Sequence, residues 1–399
     1  MMPDLSAILN ARQPLTLASV ARGAQPLVMA DLARAAGGPA GKGSRAVFIA
    51  PDDAAMRAVS EAAAYFAPEL EILEFPAWDC LPYDRASPAL SVSAARLATL
   101  HRLQTEHSGP QLLVTTINAV LQRVLTPFRI RESVRALKPG TEIGRESLIA
   151  LLQRQGYSRT DTVVDAGEYA VRGSIFDIFP SGLDQGLRLD FFGDELESLR
   201  LFDPNTQRTT GVLEGHLLLP ASEALIDDES IKRFRGRYRE LFGANATGDP
   251  LYQAVSEGRR LAGMEHWLPL FEDRLTTLFD HLAPGDLVVM DQGAVGAADE
   301  RLSDIADYHA SRSKTAGQAA GSYRPLAVDA LYLSEGEFKA RLTEWPVHRA
   351  DIFAQPPSPT VADFGFSSAR DFSPERARGD NVYLAAANYF RGLAAQGKK

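Results

Sequence analysis

A single cysteine, Cys80, is present in 399 residues, so no internal disulfide can form and nothing in the thiol content implies an oxidising compartment. No apolar run reaches the roughly 18 residues that a membrane span needs. The opening MMPDLSAILNARQPL lacks the basic flank and continuous apolar stretch of a signal peptide. These absences give the expectation of a soluble, cytoplasmic protein without a membrane partner. Lysine is scarce, at seven residues, and the formal net charge of -9 opposes a dedicated nucleic-acid coat.

Chemical motifs are missing as well. No glycine-rich loop ends in Lys-Ser or Lys-Thr, and GKGS at 41–44 precedes the first clear strand instead of joining a strand to a helix. RGAQPL (Arg22 to Leu27) lies where a first strand-to-helix turn belongs, and it has no lysine. The seven histidines are scattered, and with one thiol they advertise no zinc site. Gly-x-Ser-x-Gly does not occur. Asp79 and Asp84, the nearest approach to paired carboxylates, sit among prolines and are read as turn caps. No catalytic, cofactor-binding or metal-binding residue is assigned.

What is present is enough apolar sequence, 45%, for two or three cores. RAVFIAP, EILEF and QLLVTT read as short strands, each followed by a helical pattern, which favours a mainly parallel sheet covered on both faces. After about Thr126 the pattern breaks into short strands punctuated by Ala-Gly, Ser-Gly and Gly-Asp, with Gly193-Asp194 a turn between two antiparallel strands. From Ala221 helices return, and DLVVMD resumes the α/β order. The economical reading is one α/β domain in two pieces, 1–124 and 220–348, around a β-rich module at 125–219. Residues 349–364, with three prolines, are expected as a linker, and 365–399 as the truncated start of a further domain.

Three segments stand out. FPAWDCLPYDR (Phe75 to Arg85) gathers aromatics, aspartates and the cysteine after a strand. In the β-rich module Arg172, Arg188, Arg200 and Arg208 alternate with Asp190, Asp194, Glu195 and Glu197. Strict alternation in LRLDFFGDEL puts Arg188, Asp190 and Phe192 on one face and Leu187, Leu189 and Phe191 on the other. Phe192 beside Arg188 is either a protein-binding anchor or a core phenylalanine among solvated charges. IKRFRGRYR (Ile231 to Arg239) carries five basic residues, but Ile231, Phe234, Tyr238 and Leu241 form one apolar stripe, so core packing is expected there.

FPAWDCLPYDRASPALSVSAARLATLHRL, GEYAVRGSIFDIFP, LRLDFFGDELESLRLFD, TQRT and LLLP, in that order, resemble the bacterial transcription-repair coupling factors. The resemblance implies an N-terminal segment like the damage-handling protein UvrB: a Rossmann-like, degenerate P-loop NTPase-type three-layer α/β domain interrupted by a smaller α+β module that binds UvrA. It implies Arg172, Arg188 and Phe192 as UvrA contacts, with Glu195, Arg200 and Arg208 as weaker neighbours. A full-length member of the family is an ATP-dependent DNA translocase that displaces stalled RNA polymerase, and its C-terminal domain masks the UvrA surface. Its motor binds ATP and magnesium, whereas RNA polymerase and double-stranded DNA are engaged by regions beyond residue 399. Against UvrB, the P-loop position lacks lysine, VVMDQG has Gln292 where glutamate belongs, and Tyr83 to Ser91 is too short for a long DNA-clamping hairpin. The segment is therefore expected to be non-enzymatic and to need no cofactor. The alternatives are a UvrB-type damage-binding helicase subunit and a purely structural or autoinhibitory domain.

Overall fold

AVFIA at Ala46–Ala50 is buried at every position, as a strand must be when layers cover both faces of its sheet. The computed structural model describes residues 3–38, 44–243, 248–315, 323–367 and 370–397. Gly41, Lys42 and Gly43 of the GKGS motif thus lie outside the described residues. In chain order the strands are β1 (Thr16–Ala18), β2 (Ala46–Ala50), β3 (Glu71–Phe75), β4 (Gln111–Thr116), β5 (Arg135–Leu137), β6 (Ser158–Arg159), β7 (Glu168–Arg172) and β8 (Ile175–Ile178). They continue with β9 (Gly186–Phe192), β10 (Glu195–Phe202), β11 (Thr209–Leu213), β12 (His216–Leu218), β13 (Leu287–Asp291), β14 (His348–Ala350) and β15 (Val361–Asp363).

The architecture is mixed α/β. A seven-stranded parallel sheet runs β15-β1-β14-β13-β2-β4-β3. Strands from both sides of the β-rich segment share it, since β13 pairs with β2 from Leu287↔Ala46 to Met290↔Ile49. Alternate residues feed two cores. Phe48, Val114 and Val289 join Val28, Met29, Val59 and Ala63 of helices Gln25–Gly37 and Asp53–Phe66 on one face. Val47, Leu113 and Met290 join Leu97, Leu100, Ala298 and Ile305 of helices Leu90–Arg102 and Gly293–Thr315 on the other. Among the described residues no helix is long and apolar enough to cross a membrane.

The β-rich segment leaves and re-enters through a two-stranded antiparallel ribbon, β5 with β12, in which Ala136 lies opposite Leu217. Between them a six-stranded sheet, β11-β10-β9-β8-β7-β6, has its own core, to which helix Arg145–Arg154 contributes Leu148 and Leu152. The helix end is stitched to the returning chain: Ala221 and Ser222 N–H donate to the Gln155 carbonyl, and Tyr157 Oη donates to the Leu219 carbonyl at 2.5 Å.

Two expectations need correction. Residues 349–364 are not simply a linker. The three prolines occupy only positions 356 to 359, and beyond them Val361–Asp363 pairs parallel to β1, a strand whose outer edge is otherwise open. Phe366 N–H still reaches the Ser19 carbonyl at 3.0 Å. Beyond it the helix Val382–Ala395 buries no residue. In helix Asp228–Phe242 the stripe is Ile231, Phe234, Tyr238 and Phe242, because a 3-4-4 spacing tracks the helix face. Leu241 is exposed. Phe234 stacks on Phe271 at 4.7 Å, Arg233 pairs with Asp273 at 2.7 Å, and Arg237 donates to the Pro269 carbonyl at 2.8 Å.

The stretch Phe75 to Arg85 is architecture. Trp78, Pro82 and Tyr83 are buried, and Asp79 caps the Ala89 N–H at 2.9 Å. Tyr83 is held at φ +58, uncommon for a bulky side chain, with its ring edge-on to His309 and Tyr332. Trp78 Nε1 donates to Glu223 Oε1 at 2.7 Å, and Arg96 Nε donates to the same oxygen at 2.6 Å. Arg96 Nη1 donates to the Pro76 carbonyl at 2.7 Å, and the guanidinium lies 4.3 Å from the Phe75 ring centroid. Both side chains of the Arg96–Glu223 pair are fully buried. Burial pushes the Cys80 thiol up to about 12, so it is inert at neutral pH.

Glu223→Ala strands a buried guanidinium and is expected to lower unfolding free energy by about 3–5 kcal/mol, whereas Glu335→Ala, breaking the exposed pair with Lys339, is expected to leave the unfolding midpoint close to that of the parent. Urea titrations check both, and equal midpoints would remove the pair from its central role. Burial also lowers His266 and His348 to about 4. The unfolded chain takes up these protons near pH 6.5, and the folded chain resists them, so stability held at neutral pH is lost as pH falls toward about 4. His348 Nδ1 accepts the Leu15 N–H at 3.0 Å, a bond that an asparagine oxygen can also accept. His348→Asn is therefore expected to show a shallower loss of melting temperature between pH 7 and 4.5 than the parent, and parallel profiles would refute the assignment.

Candidate functional site

In the module sheet, period-2 alternation sends Leu187, Leu189 and Phe191 of β9 inward, and all three are buried. Arg188, Asp190 and Phe192 therefore face outward. Gly193 supplies φ +64 at the first position of the β9–β10 turn, so a two-residue connection places Phe192 opposite Glu195. The register extends this outer face across the sheet. Ala170, Asp177, Arg188, Arg200 and Val212 form one cross-strand row, and Arg172, Ile175, Asp190 and Ser198 form the next.

The two ends of this face differ. At one end Phe202 lies directly over Gly186, where an added Cβ would sit 2.1 Å from its ring, and the 203–208 turn closes above through Gln207 Nε2 donating to the Val163 carbonyl at 2.9 Å. At the hairpin-tip end no described residue covers Phe192, which is 80% exposed, while Val212, 76% exposed, stands on the edge strand in the row of Arg188 and Arg200. Arg172 is exposed beside the β7–β8 turn, with Nη2 donating to the Asp161 carbonyl at 2.8 Å. Arg200 is half-exposed and pairs loosely with Asp190 at 3.4 Å, and Glu195 is exposed. The hairpin-tip end offers an exposed aromatic side chain amid charges of both signs, the composition of a protein-binding patch.

Arg188 departs from expectation. Its side chain is only 17% exposed and grips Asp177 through two bonds, Nε to Oδ1 at 2.7 Å and Nη2 to Oδ2 at 2.9 Å. Its aromatic partner is Phe202, 4.8 Å from the guanidinium, and not Phe192. The bond to Asp177 raises the Arg188 pKa further above its ordinary value. Arg188 thus holds β8 to β9 on the outer face and joins it to the 203–208 turn. Arg208 is exposed at the 203–208 turn, the opposite end of the sheet from Phe192. Asp177 and Val212 were not singled out by sequence reasoning. A carboxylate inside SIFDIF demands a partner, which was a signal for Asp177; Val212, in the polar run TTGVL, gave none.

The other candidate cleft lies at the β1 end of the large sheet. Arg22 to Leu27 covers the 3-10 turn Arg22–Ala24 after β1 and the first residues of helix Gln25–Gly37. There Gln25 Nε2 donates to Asp291 Oδ2 at 2.6 Å, and Gly293 N–H donates to Asp291 Oδ1 at 2.7 Å. Both oxygens of the carboxylate that ends β13 are engaged within the chain. Among the described residues no group of three His, Cys, Asp or Glu side chains is placed to hold a metal ion.

Residues 136–223 match the family model described as the UvrB interaction domain, which is the segment containing the open sheet face. Transcription-repair-coupling factors are similar over longer stretches. That of Haemophilus influenzae is 36% identical over 69% of this chain and 24% of that protein. That of Escherichia coli is 32% identical over 82% and 28%, and that of Rickettsia prowazekii 33% over 68% and 24%. The chain thus spans about a quarter of the length of these curated relatives. Along most of its own length, then, the chain matches the transcription-repair-coupling factors, and it carries a UvrB interaction domain.

Proposed function

We propose that this segment is a recruiter in transcription-coupled DNA repair, docking UvrA through the hairpin-tip end of the module sheet. The observation that carries the proposal is Phe192, an aromatic 80% exposed within the matched domain, opposite Glu195 and on the same sheet face as Arg172, Asp190 and Arg200. An exposed aromatic among charges supplies an apolar anchor, while the charges orient the partner. As part of a longer ATP-dependent DNA translocase that displaces stalled RNA polymerase, the segment brings excision repair to the stall site. In the intact protein the C-terminal domain covers this surface until it is needed.

The segment itself does no nucleotide chemistry on this reading. The loop after β1 brings no lysine to bind phosphate, Gln292 replaces the water-activating carboxylate, and both oxygens of Asp291 are already hydrogen-bonded, to Gln25 and Gly293. Equilibrium dialysis with ATP and magnesium is expected to show no saturable binding, and a micromolar isotherm would overturn the degenerate-cleft reading.

Calorimetry with purified UvrA tests the docking face. Phe192→Ala is expected to weaken binding by about 2 kcal/mol or more and Arg172→Ala by about 1–3 kcal/mol. Both are expected to leave unfolding free energy within about 0.5 kcal/mol of the parent. Arg188→Ala has a different signature: it leaves Asp177 buried and unpaired and destabilises the module by about 3 kcal/mol. Full UvrA affinity in Phe192→Ala would refute the proposal.

A further inference from the structure

The two larger sheets have four free edge strands, and three of them are blunted. β15 is three residues long, follows three prolines and ends in Asp363. β6 is two residues long and ends in Arg159. β3 carries Glu71 and Glu74, with the Arg102 guanidinium clamped on Glu71 and Thr99 Oγ1 donating to the Glu74 carbonyl. Short length, proline, charge and covering side chains are the devices by which folded proteins prevent unwanted strand pairing.

β11 has none of these, and its one irregularity is a bulge at Thr210 near its start, where the register with β10 shifts. Thr209, Thr210, Gly211, Val212 and Leu213 carry no charge, no proline precedes them closely, and among the described residues their only strand neighbour is β10. Three of the five are exposed and the other two half-buried. Beyond the bulge, Gly211, Val212 and Leu213 pair with β10 in unbroken register, so this part of the edge is both open and extended. It is also continuous with the docking face, because Val212 lies directly opposite Arg200, which pairs with Asp190 two residues from Phe192.

We propose that β11 pairs with an extended segment of UvrA, adding a seventh strand to the module sheet. The proposal rests on the docking reading above and adds its mode: main-chain hydrogen bonds along β11 supply affinity while Phe192 and the charges set orientation. The incoming strand carries apolar side chains at successive positions, one meeting Val212 on the outer face and the next meeting Leu213 on the inner face.

Hydrogen exchange on the whole chain, with and without UvrA, tests this. The amides of 209–213 are expected to slow by about ten-fold or more in the complex. Val212→Lys, a charge of the kind that blunts the other edges, is expected to weaken UvrA binding by about ten-fold with the melting temperature unchanged. Protection confined to residues 188–200, with 209–213 exchanging as in the free chain, would overturn strand pairing and leave the docking face standing. No UvrA binding at all would instead sink the docking reading and this inference with it. A dimer of the chain alone that protects 209–213 would also overturn it, by naming a second copy as the occupant.

Discussion

Arg96 and Glu223 meet where three distant parts of the chain converge: the helix after the FPAWDCLPYDR stretch, the end of β3 and the segment returning from the module. Two charges placed wholly out of water are tolerated only if nearly every polar atom is answered. Here the indole of Trp78, the carbonyl of Pro76 and the ring of Phe75 complete the shell. The carboxylate cannot leave without stranding the guanidinium, so the returning chain has one place to dock. Glu265 makes a second tie nearby, to Ser87, Ser222 and Arg260. The large sheet can therefore be interrupted by some eighty residues and still close, with β13 beside β2.

That anchoring leaves the module free to spend its surface elsewhere. Its inner sheet face is covered by helix Arg145–Arg154, and its outer face is closed only at the Phe202 end, where Arg188, Asp177 and the 203–208 turn make a small polar cap. The hairpin tips project away from this cap. A rigid sheet supported at one end and bare at the other presents Phe192 at a fixed height, with little ordering left to be done on binding.

Much of this was legible in the sequence. Leu187, Leu189 and Phe191 against Arg188, Asp190 and Phe192 gave the faces of β9 because the strand period is two and the glycine turn fixes the register. The α/β order gave the strands of the large sheet because each is a short apolar run between helical patterns. The site was only half legible. Alternation tells which face a residue takes but not what stands across the strand, so Arg188 could be placed on the outer face while its bonds to Asp177 and its packing on Phe202 stayed hidden. Val361–Asp363 was hidden because proline content dominates a window that includes a strand of three residues. Glu223 was silent for a plainer reason: a lone glutamate looks solvated, and only a contact 127 residues away in sequence reveals otherwise.

The neck made by β5 and β12 has a consequence for ancestry. Since Ala136 and Leu217 lie opposite one another, the module begins and ends at a single point on its host. A gene segment encoding it can be inserted, removed or carried to another host without stretching either partner, because the host only has to bring together two chain ends that are already neighbours. The entropy of closing such a loop grows only slowly with its length, so the module can lengthen or shorten at little cost to the junction. The neck is thus the natural boundary of inheritance, and the module is a unit that lineages can trade.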